Sequence, residues 1–445
     1  MLTPRLQQIY YKTPEGPLMA NHPASKNTAR HMYRKWVLFV RKLGFPLKIT
    51  PHIPTACITG SVGKTTTCRM VASILRETGK TVALSTTLGT YVGDSPRCIG
   101  DSSNGRRGSR LLAERQVDAG VFEIARGGLI NEGMLFSNYD IGALLNVYDN
   151  HIGLKGVESR ADLAKVKKQV VVNARKMAIL NADDPLCLGV KKDIRAARTC
   201  LITMTAESPV VRDHMSRGGV AVRQEGNGAE AMIRLYEGNK MVLSMAALDI
   251  PASWGGRYRP AINNAMFAAA ITYGLDVSTQ SIRAGLRSFQ SDEVSNPGRM
   301  NFYDHLPCGL LITWADGPEA ACEIADFVSL HTISGKKHLM LAAMGNRPDA
   351  FIVETALAFS GRFDSYISTD WEDLRGRAPG EVAGLLASGF KNGGVDQSRI
   401  EIATSYDDGL SRAFAKPSQG DLLVIVSFSG WRAKEQGLFK SKNIP

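Results

Sequence analysis

Residues 59–67 read Thr-Gly-Ser-Val-Gly-Lys-Thr-Thr-Thr, a set of residue types suited to gripping a polyphosphate. Small residues at Gly60, Ser61 and Gly63 let backbone N–H groups close around phosphate oxygens, and a helix starting there adds partial positive charge. Lys64 is placed to neutralise the β- and γ-phosphates, and the Thr65 hydroxyl to hold Mg²⁺. The loop lacks the first glycine of the GxxxxGKS/T pattern, because position 58 is isoleucine. Its context, an apolar strand before and a helix after, is the one that pattern requires. These residues imply ATP with Mg²⁺ but do not choose among kinase, ATPase, GTPase and ligase. Two further polar residues close apolar runs: Glu123 follows Val121-Phe122, and His151 follows the run 139–147. A carboxylate ending a buried strand is costly unless it is paired.

The elements that must position these groups follow from hydrophobic periodicity. Positions 55–59 read as a buried strand and 64–77 as a helix. Met70, Val71, Ile74 and Leu75 form that helix's apolar stripe, and Gly79 stops it. Runs at 80–86, 117–124 and 139–147 read as further strands, so a parallel sheet is expected with its site at the strands' carboxyl ends. Short runs at 199–204, 219–223, 232–236 and 241–246 are expected to be antiparallel strands appended to the same domain. Helices are expected at 261–273 and 278–288, and Asn296-Pro297-Gly298 marks a domain boundary. Beyond it, 310–314, 338–342, 365–367, 401–403 and 422–426 read as strands between helices. The fold class is thus α/β. A P-loop parallel-sheet central domain with appended antiparallel strands (51–296) is followed by a Rossmann-like α/β C-terminal domain (297–445). A basic arm (1–50) precedes both.

The length of 445 residues exceeds what one compact core holds. Apolar residues at 44% and charged residues at 22% are ordinary for globular chains and argue against disorder. No apolar run is long enough to span a membrane and no secretory signal is legible. The seven cysteines lack CxxC spacing, which suits reduced thiols in a cytoplasmic protein. Of the net charge of +12, the arm carries +8, from nine Lys or Arg against the single acid Glu15. Met32, Trp36, Val37, Val40 and Leu43 share one face of a basic amphipathic helix there. Such an arm is expected first to dock on the main body, next to meet an anionic membrane surface, and least to bind nucleic acid.

Seven motifs in order carry a resemblance to a known family. They are Gly60-Ser61-Val62-Gly63-Lys64-Thr65-Thr66-Thr67, Glu123-Ile124-Ala125-Arg126-Gly127-Gly128-Leu129, and Asn146 through Gly156. Then come Leu180-Asn181-Ala182-Asp183-Asp184-Pro185, Asn264-Ala265, Asn296-Pro297-Gly298-Arg299-Met300-Asn301, and Asp373 through Glu381. Together they resemble the Mur ligase superfamily, nearest to the C-terminal half of its cyanophycin-synthetase branch. The resemblance implies that ATP phosphorylates a carboxylate and that an amine then attacks the acyl-phosphate. Such a site relies on metal ions and cations rather than on a nucleophilic side chain. It implies nucleotide binding by Gly60, Ser61, Val62, Gly63, Lys64, Thr65 and Thr66, with Asn264 at the adenine and Arg299 at the phosphates. It makes Thr65 and Glu123 ligands of one Mg²⁺ and His151 a ligand of a second. Lys167, with Lys165 as the alternative, becomes the lysine that CO₂ carbamylates. Lys64, Glu123, His151 and Lys167 are the implied catalytic set. The implied partners are small-molecule or peptide carboxylate and amine substrates, first an aspartyl carboxylate and an arginine-like amine. A partner ligase and a homo-oligomer stay open. Asp183-Asp184-Pro185 reads equally as a turn.

The pattern breaks in four places. Cyanophycin synthetases carry an ATP-grasp half before the Mur half, and only residues 1–57 precede the P-loop motif here. The expectation is a single ligation, or work beside a separate partner. Where the family has Asp-Tyr-Ala-His-Asn-Pro, this chain has Thr313-Trp314-Ala315-Asp316-Gly317-Pro318. The usual Gly-Asp-Arg is Gly345-Asn346-Arg347, and the usual Asp-His pair is Asn150-His151. These departures motivate a second reading, a nucleotide-binding partner or regulatory subunit that has lost catalysis.

Overall fold

A computed structural model describes residues 48–430 except 151, 154, 305 and 307, together with Met32, Lys35, Trp36 and Phe39. The chain forms two compact units. Among the described residues, the first comprises those up to Val147, those from Ile152 to Ile250 and Ala261–Phe289; the second comprises Tyr148–Asn150, Pro251–Pro260 and those from Gln290 to Gly430.

The first unit opens with β1 (Thr55–Thr59), α1 (Lys64–Arg76) and β2 (Val82–Thr86). A hairpin of β3 (Gly89–Val92) and β4 (Ser95–Ile99) leads to α2 (Arg106–Leu111), β5 (Ala119–Glu123), α3 (Arg126–Glu132) and β6 (Tyr139–Leu144). Next come α4 (Arg160–Lys167), α5 (Gln169–Val172), β7 (Ala174–Asn181), α6 (Pro185–Gly189), β8 (Arg198–Thr203) and α7 (Pro209–Ser216). Strands β9 (Val220–Glu225), β10 (Met232–Glu237) and β11 (Lys240–Ala246) precede α8 (Arg259–Gly274) and α9 (Thr279–Ser288). The strands form one sheet in the order β11-β10-β9-β8-β7-β6-β1-β5-β2-β3-β4. Every residue of β1, β2, β5 and β6 is buried, as strands covered on both faces must be.

The expectation of four appended antiparallel strands is corrected. β8 is parallel to β7, and β9 is parallel to β8; only β10 and β11 run antiparallel. The cause is the pair of crossovers through α6 and α7, each of which carries the chain back along the sheet and so restores strand direction. The β3–β4 hairpin was not anticipated, since Ser95 and Pro96 are exposed and leave no apolar alternation.

Behind α1 lies α9, capped by Ser278, whose side chain accepts the Ser281 N–H. The two helices touch at backbone level: a Cβ on Gly285 would stand 2.4 Å from Ile74 Cα. The Ala-rich α8 is buried along nearly its whole length, as a helix apolar all round should be.

The second unit has six strands: β12 (Asn301–Tyr303), β13 (Gly309–Thr313), β14 (Lys337–Ala343), β15 (Ser365–Asp370), β16 (Ile400–Ile402) and β17 (Leu422–Val426). Their order is β12-β13-β17-β14-β15-β16, all parallel except the edge strand β12. The intervening helices are α10 (Pro318–Leu330), α11 (Asp349–Leu357), α12 (Glu381–Asn392) and α13 (Tyr406–Ala415). This is the expected Rossmann-like layering. Among the described residues, no helix is long and apolar enough to cross a membrane. Met32, Lys35, Trp36 and Phe39 are helical, with Met32 and Phe39 exposed; Val37, Val40 and Leu43 lie outside the described residues.

Candidate active site

Four neighbouring strands, β6, β1, β5 and β2, end at one edge of the first unit's sheet, and their carboxyl ends deliver the functional side chains. The register sets Ile58 beside Glu123 and Thr59 beside Leu144. The chain leaves β1 through Gly60 and enters α1 at Lys64, so the loop sits where the crossovers diverge, the expected place for a ligand in an open α/β sheet. Gly63, the residue preceding α1, has φ of 83°, and a Cβ there would come within 2.4 Å of Asn264 Oδ1. Glycine is therefore demanded twice, by backbone conformation and by space. No side chain caps α1 at this end, which leaves its dipole facing the loop.

Asn146, two residues past β6, holds the loop's entrance. Its Oδ1 accepts the N–H groups of Ser61 at 2.8 Å and Val62 at 2.9 Å. Lys64 Nζ donates to the Ser61 carbonyl at 2.8 Å, folding the ammonium back across the loop. Asn264, buried on α8, accepts from the Thr67 hydroxyl at 3.3 Å and so braces the first turn of α1.

Glu123 is 1% exposed and fully engaged at both oxygens. Oε2 accepts the Thr65 hydroxyl at 2.8 Å and the Thr87 N–H at 3.0 Å; Oε1 accepts the Thr87 hydroxyl at 2.8 Å. Both hydroxyl protons point at the carboxylate, so the lone pairs of the threonine oxygens stay available. The cluster is a set of hard oxygen donors, the chemistry that Mg²⁺ takes. Below it, burial and then the Glu123 charge push the Cys68 thiol well above its usual range, keeping it neutral. All seven cysteines are free thiols.

Lys165 and Lys167 separate clearly. Lys165 is 71% exposed at its side chain and paired with Asp162 at 2.9 Å. Lys167 is 2% exposed, and its Nζ donates to the Gly60 carbonyl at 2.6 Å. Asp184 accepts the Val147 N–H at 2.7 Å and the Leu186 N–H at 2.9 Å, so this aspartate works as a turn and helix cap. His151 lies outside the described residues. Among the described residues no group of three His, Cys, Asp or Glu side chains is poised for a metal, because Glu123's partners are threonines. Arg299 belongs to the second unit, where its Nη1 donates to the Gly298 carbonyl at 3.1 Å.

The structure thus gathers Gly60, Ser61, Val62, Gly63, Lys64, Thr65, Glu123, Lys167 and Asn264 into one cluster. Thr87 and Asn146 complete it and were assigned no role from sequence. Each follows the carboxyl end of a strand, a signal present in the sequence but shared by many polar residues.

Residues 58–272 match the family described as the Mur ligase middle domain. The cyanophycin synthetase of Geminocystis herdmanii is 33% identical over 385 residues, covering 86% of this chain and 43% of that protein. A UDP-N-acetylmuramoyl-L-alanyl-D-glutamate–2,6-diaminopimelate ligase of Geobacter metallireducens is 23% identical, covering 80% of this chain and 68% of that one. Among solved structures, E. coli FolC in complex with DHPP and ADP superposes with a TM-score of 0.66 at 17% identity, covering 91% of this chain and 92% of that one. MurF from Acinetobacter baumannii gives 0.60 at 17% identity, with coverages of 93% and 81%. The chain spans less than half the length of the cyanophycin synthetases it matches. It therefore has the Mur ligase superfamily fold and is related to the Mur-ligase-like domain of cyanophycin synthetase, covering only part of that larger enzyme.

Proposed function

We propose that this chain is an ATP-dependent ligase that joins a carboxylate to an amino acid or amine through an acyl-phosphate. The observation that carries the reading is the Thr65–Glu123–Thr87 cluster set against the uncapped start of α1, in a segment matching the Mur ligase middle domain. Lys64 donates to the Ser61 carbonyl across the loop, and a phosphate oxygen bound there would compete for the same ammonium. Glu123, held rigid by three donors, fixes the Thr65 and Thr87 oxygens. Mg²⁺ bound by Thr65 and Glu123 would offset the repulsion between ATP and the attacking carboxylate. Carbamylation of Lys167 would replace a buried ammonium by a carboxylate behind the loop. For His151 and Arg299 the roles at a second Mg²⁺ and at the phosphates rest on the resemblance alone.

An aspartyl carboxylate and an arginine-like amine, the pair that the resemblance to the cyanophycin-synthetase branch implies, are the first to try. The test is ADP release coupled to a new amide, read by mass spectrometry across paired acids and amines. ATP bound with no amide from any pair would sink the reading. The altered stretch Thr313–Pro318 motivates a second reading, a nucleotide-binding partner of another ligase that has lost turnover. That reading expects tight ATP binding, no product, and co-purification with an active ligase.

A further inference from the structure

Three of the departures from the family pattern meet at one buried arginine. In the second unit, the loop after β14 buries Arg347, with only 4% of its side chain exposed. Its Nη2 donates to Asp316 Oδ1 at 2.9 Å, and its Nη1 to Asn346 Oδ1 at 3.0 Å. The other carboxylate oxygen of Asp316, Oδ2, accepts from Asn150 Nδ2 at 3.3 Å. Arg377 closes the loop from behind, donating to the carbonyls of Gly345 at 2.9 Å and Arg347 at 2.8 Å. Asp316 therefore spends one oxygen on a buried cation and the other on the Tyr148–Asn150 segment, which joins this unit.

The exchanges depend on one another. With aspartate at 150, two carboxylates would face each other at hydrogen-bond distance, which like charges oppose. With histidine at 316, Arg347 would lose its carboxylate, and an aspartate at 346 would be the group placed to restore it. A buried guanidinium without a carboxylate is strongly disfavoured. Asn150 and Asn346 each bond to one member of the Asp316–Arg347 pair, so an exchange at any of the three changes the partners of that pair.

We infer that Asp316 is a positioning residue, and that Asn150, Asp316 and Asn346 are one linked exchange around Arg347 rather than three separate losses. A single central acid takes over from two flanking ones and holds Asn150, the neighbour of His151 in the chain. Its functional half rests on the ligase reading above and favours turnover over a silent subunit.

The test uses the full chain with N150D, D316H, N346D, D316N and the N150D/D316H/N346D combination. Each is measured by urea unfolding, by ADP affinity, and by kcat and KM for ATP-dependent ADP release. N150D and D316H each are expected to lower kcat about tenfold or more, well below the unfolding midpoint, while ADP affinity stays within about twofold. D316N, which keeps shape without charge, is expected to lower kcat similarly. The triple variant is expected to recover kcat to within about threefold of the parent and to recover the urea midpoint. Losses that simply multiply in the triple variant would overturn the linkage. Should the parent release no ADP with any substrate, the ligase reading fails. The linkage is then decided by unfolding alone, where a restored midpoint upholds it and summed losses overturn it.

Discussion

The Thr65 hydroxyl donates to Glu123 Oε2 across 2.8 Å, joining the first turn of α1 to the end of β5. This bond turns two separate strand ends into one rigid group of oxygens. Replacing Glu123 by Gln keeps the shape but removes the charge, and ADP release is expected to fall about 10²–10³-fold. Thr87→Val removes one hydroxyl bond, with an expected cost of about 1–3 kcal/mol to unfolding stability. A Mg²⁺ titration should show a higher half-saturating concentration. An unchanged Mg²⁺ requirement in both variants would exclude the cluster as a metal site.

Lys64→Ala removes a cation without opening a cavity in the core. ADP release should drop about 10²–10³-fold, with the thermal midpoint little changed. Full turnover in this variant would refute the role given to Lys64.

Lys167 and Lys165 should behave oppositely. Lys165→Ala loses only an exposed, solvent-screened ion pair and should retain turnover. Lys167→Ala should abolish it, and short carboxylic acids in the buffer should restore part. Equal effects of the two substitutions would remove the case for a carbamate at Lys167.

Gly63→Ala forces a side chain into left-handed backbone, at about 1–2 kcal/mol, and into the Asn264 amide. Calorimetry should show ADP affinity falling far more than stability does. Removing the clash with Asn264→Ala should recover only part of the stability, since the backbone strain at 63 stays, and none of the affinity.

The second unit offers a pH test. The Arg412 side chain, and next the Thr404 N–H, pull the Asp408 carboxyl from 3.8 down to about 2. Its folded-state value is depressed, so its stabilisation is complete above the unfolded value. That stabilisation is lost as pH falls from about 4 towards about 2. Asp408→Asn should flatten that part of the acid unfolding curve; an unaltered acid limb would show that the pair contributes nothing.

The loop and both cores were legible because they rest on local signals. Glycine spacing marked residues 60–67, and continuous apolar runs marked β1, β5, β6 and β17. Strand direction at β8 and β9 was not legible, since the amphipathic stripe of the short α7 lies inside a polar stretch. Thr87 and Asn146 escaped because a hydroxyl or amide gains meaning only from the strand beside it. The linkage of Asn150 to Asp316 spans 166 positions, and only tertiary contact reveals it.

The glycine contact between α9 and α1 bears on how a ligand is received. With Gly285 seated on the backbone at Ile74, α1 is packed tightly along its rear, on the side away from the 60–63 loop. Little ordering entropy is then lost on association, so affinity should depend mainly on the ions in the buffer and the charge of the ligand's tail. A bulkier residue at 285 is expected to push α1 from its far side and weaken ADP affinity without touching any residue of the 60–67 loop.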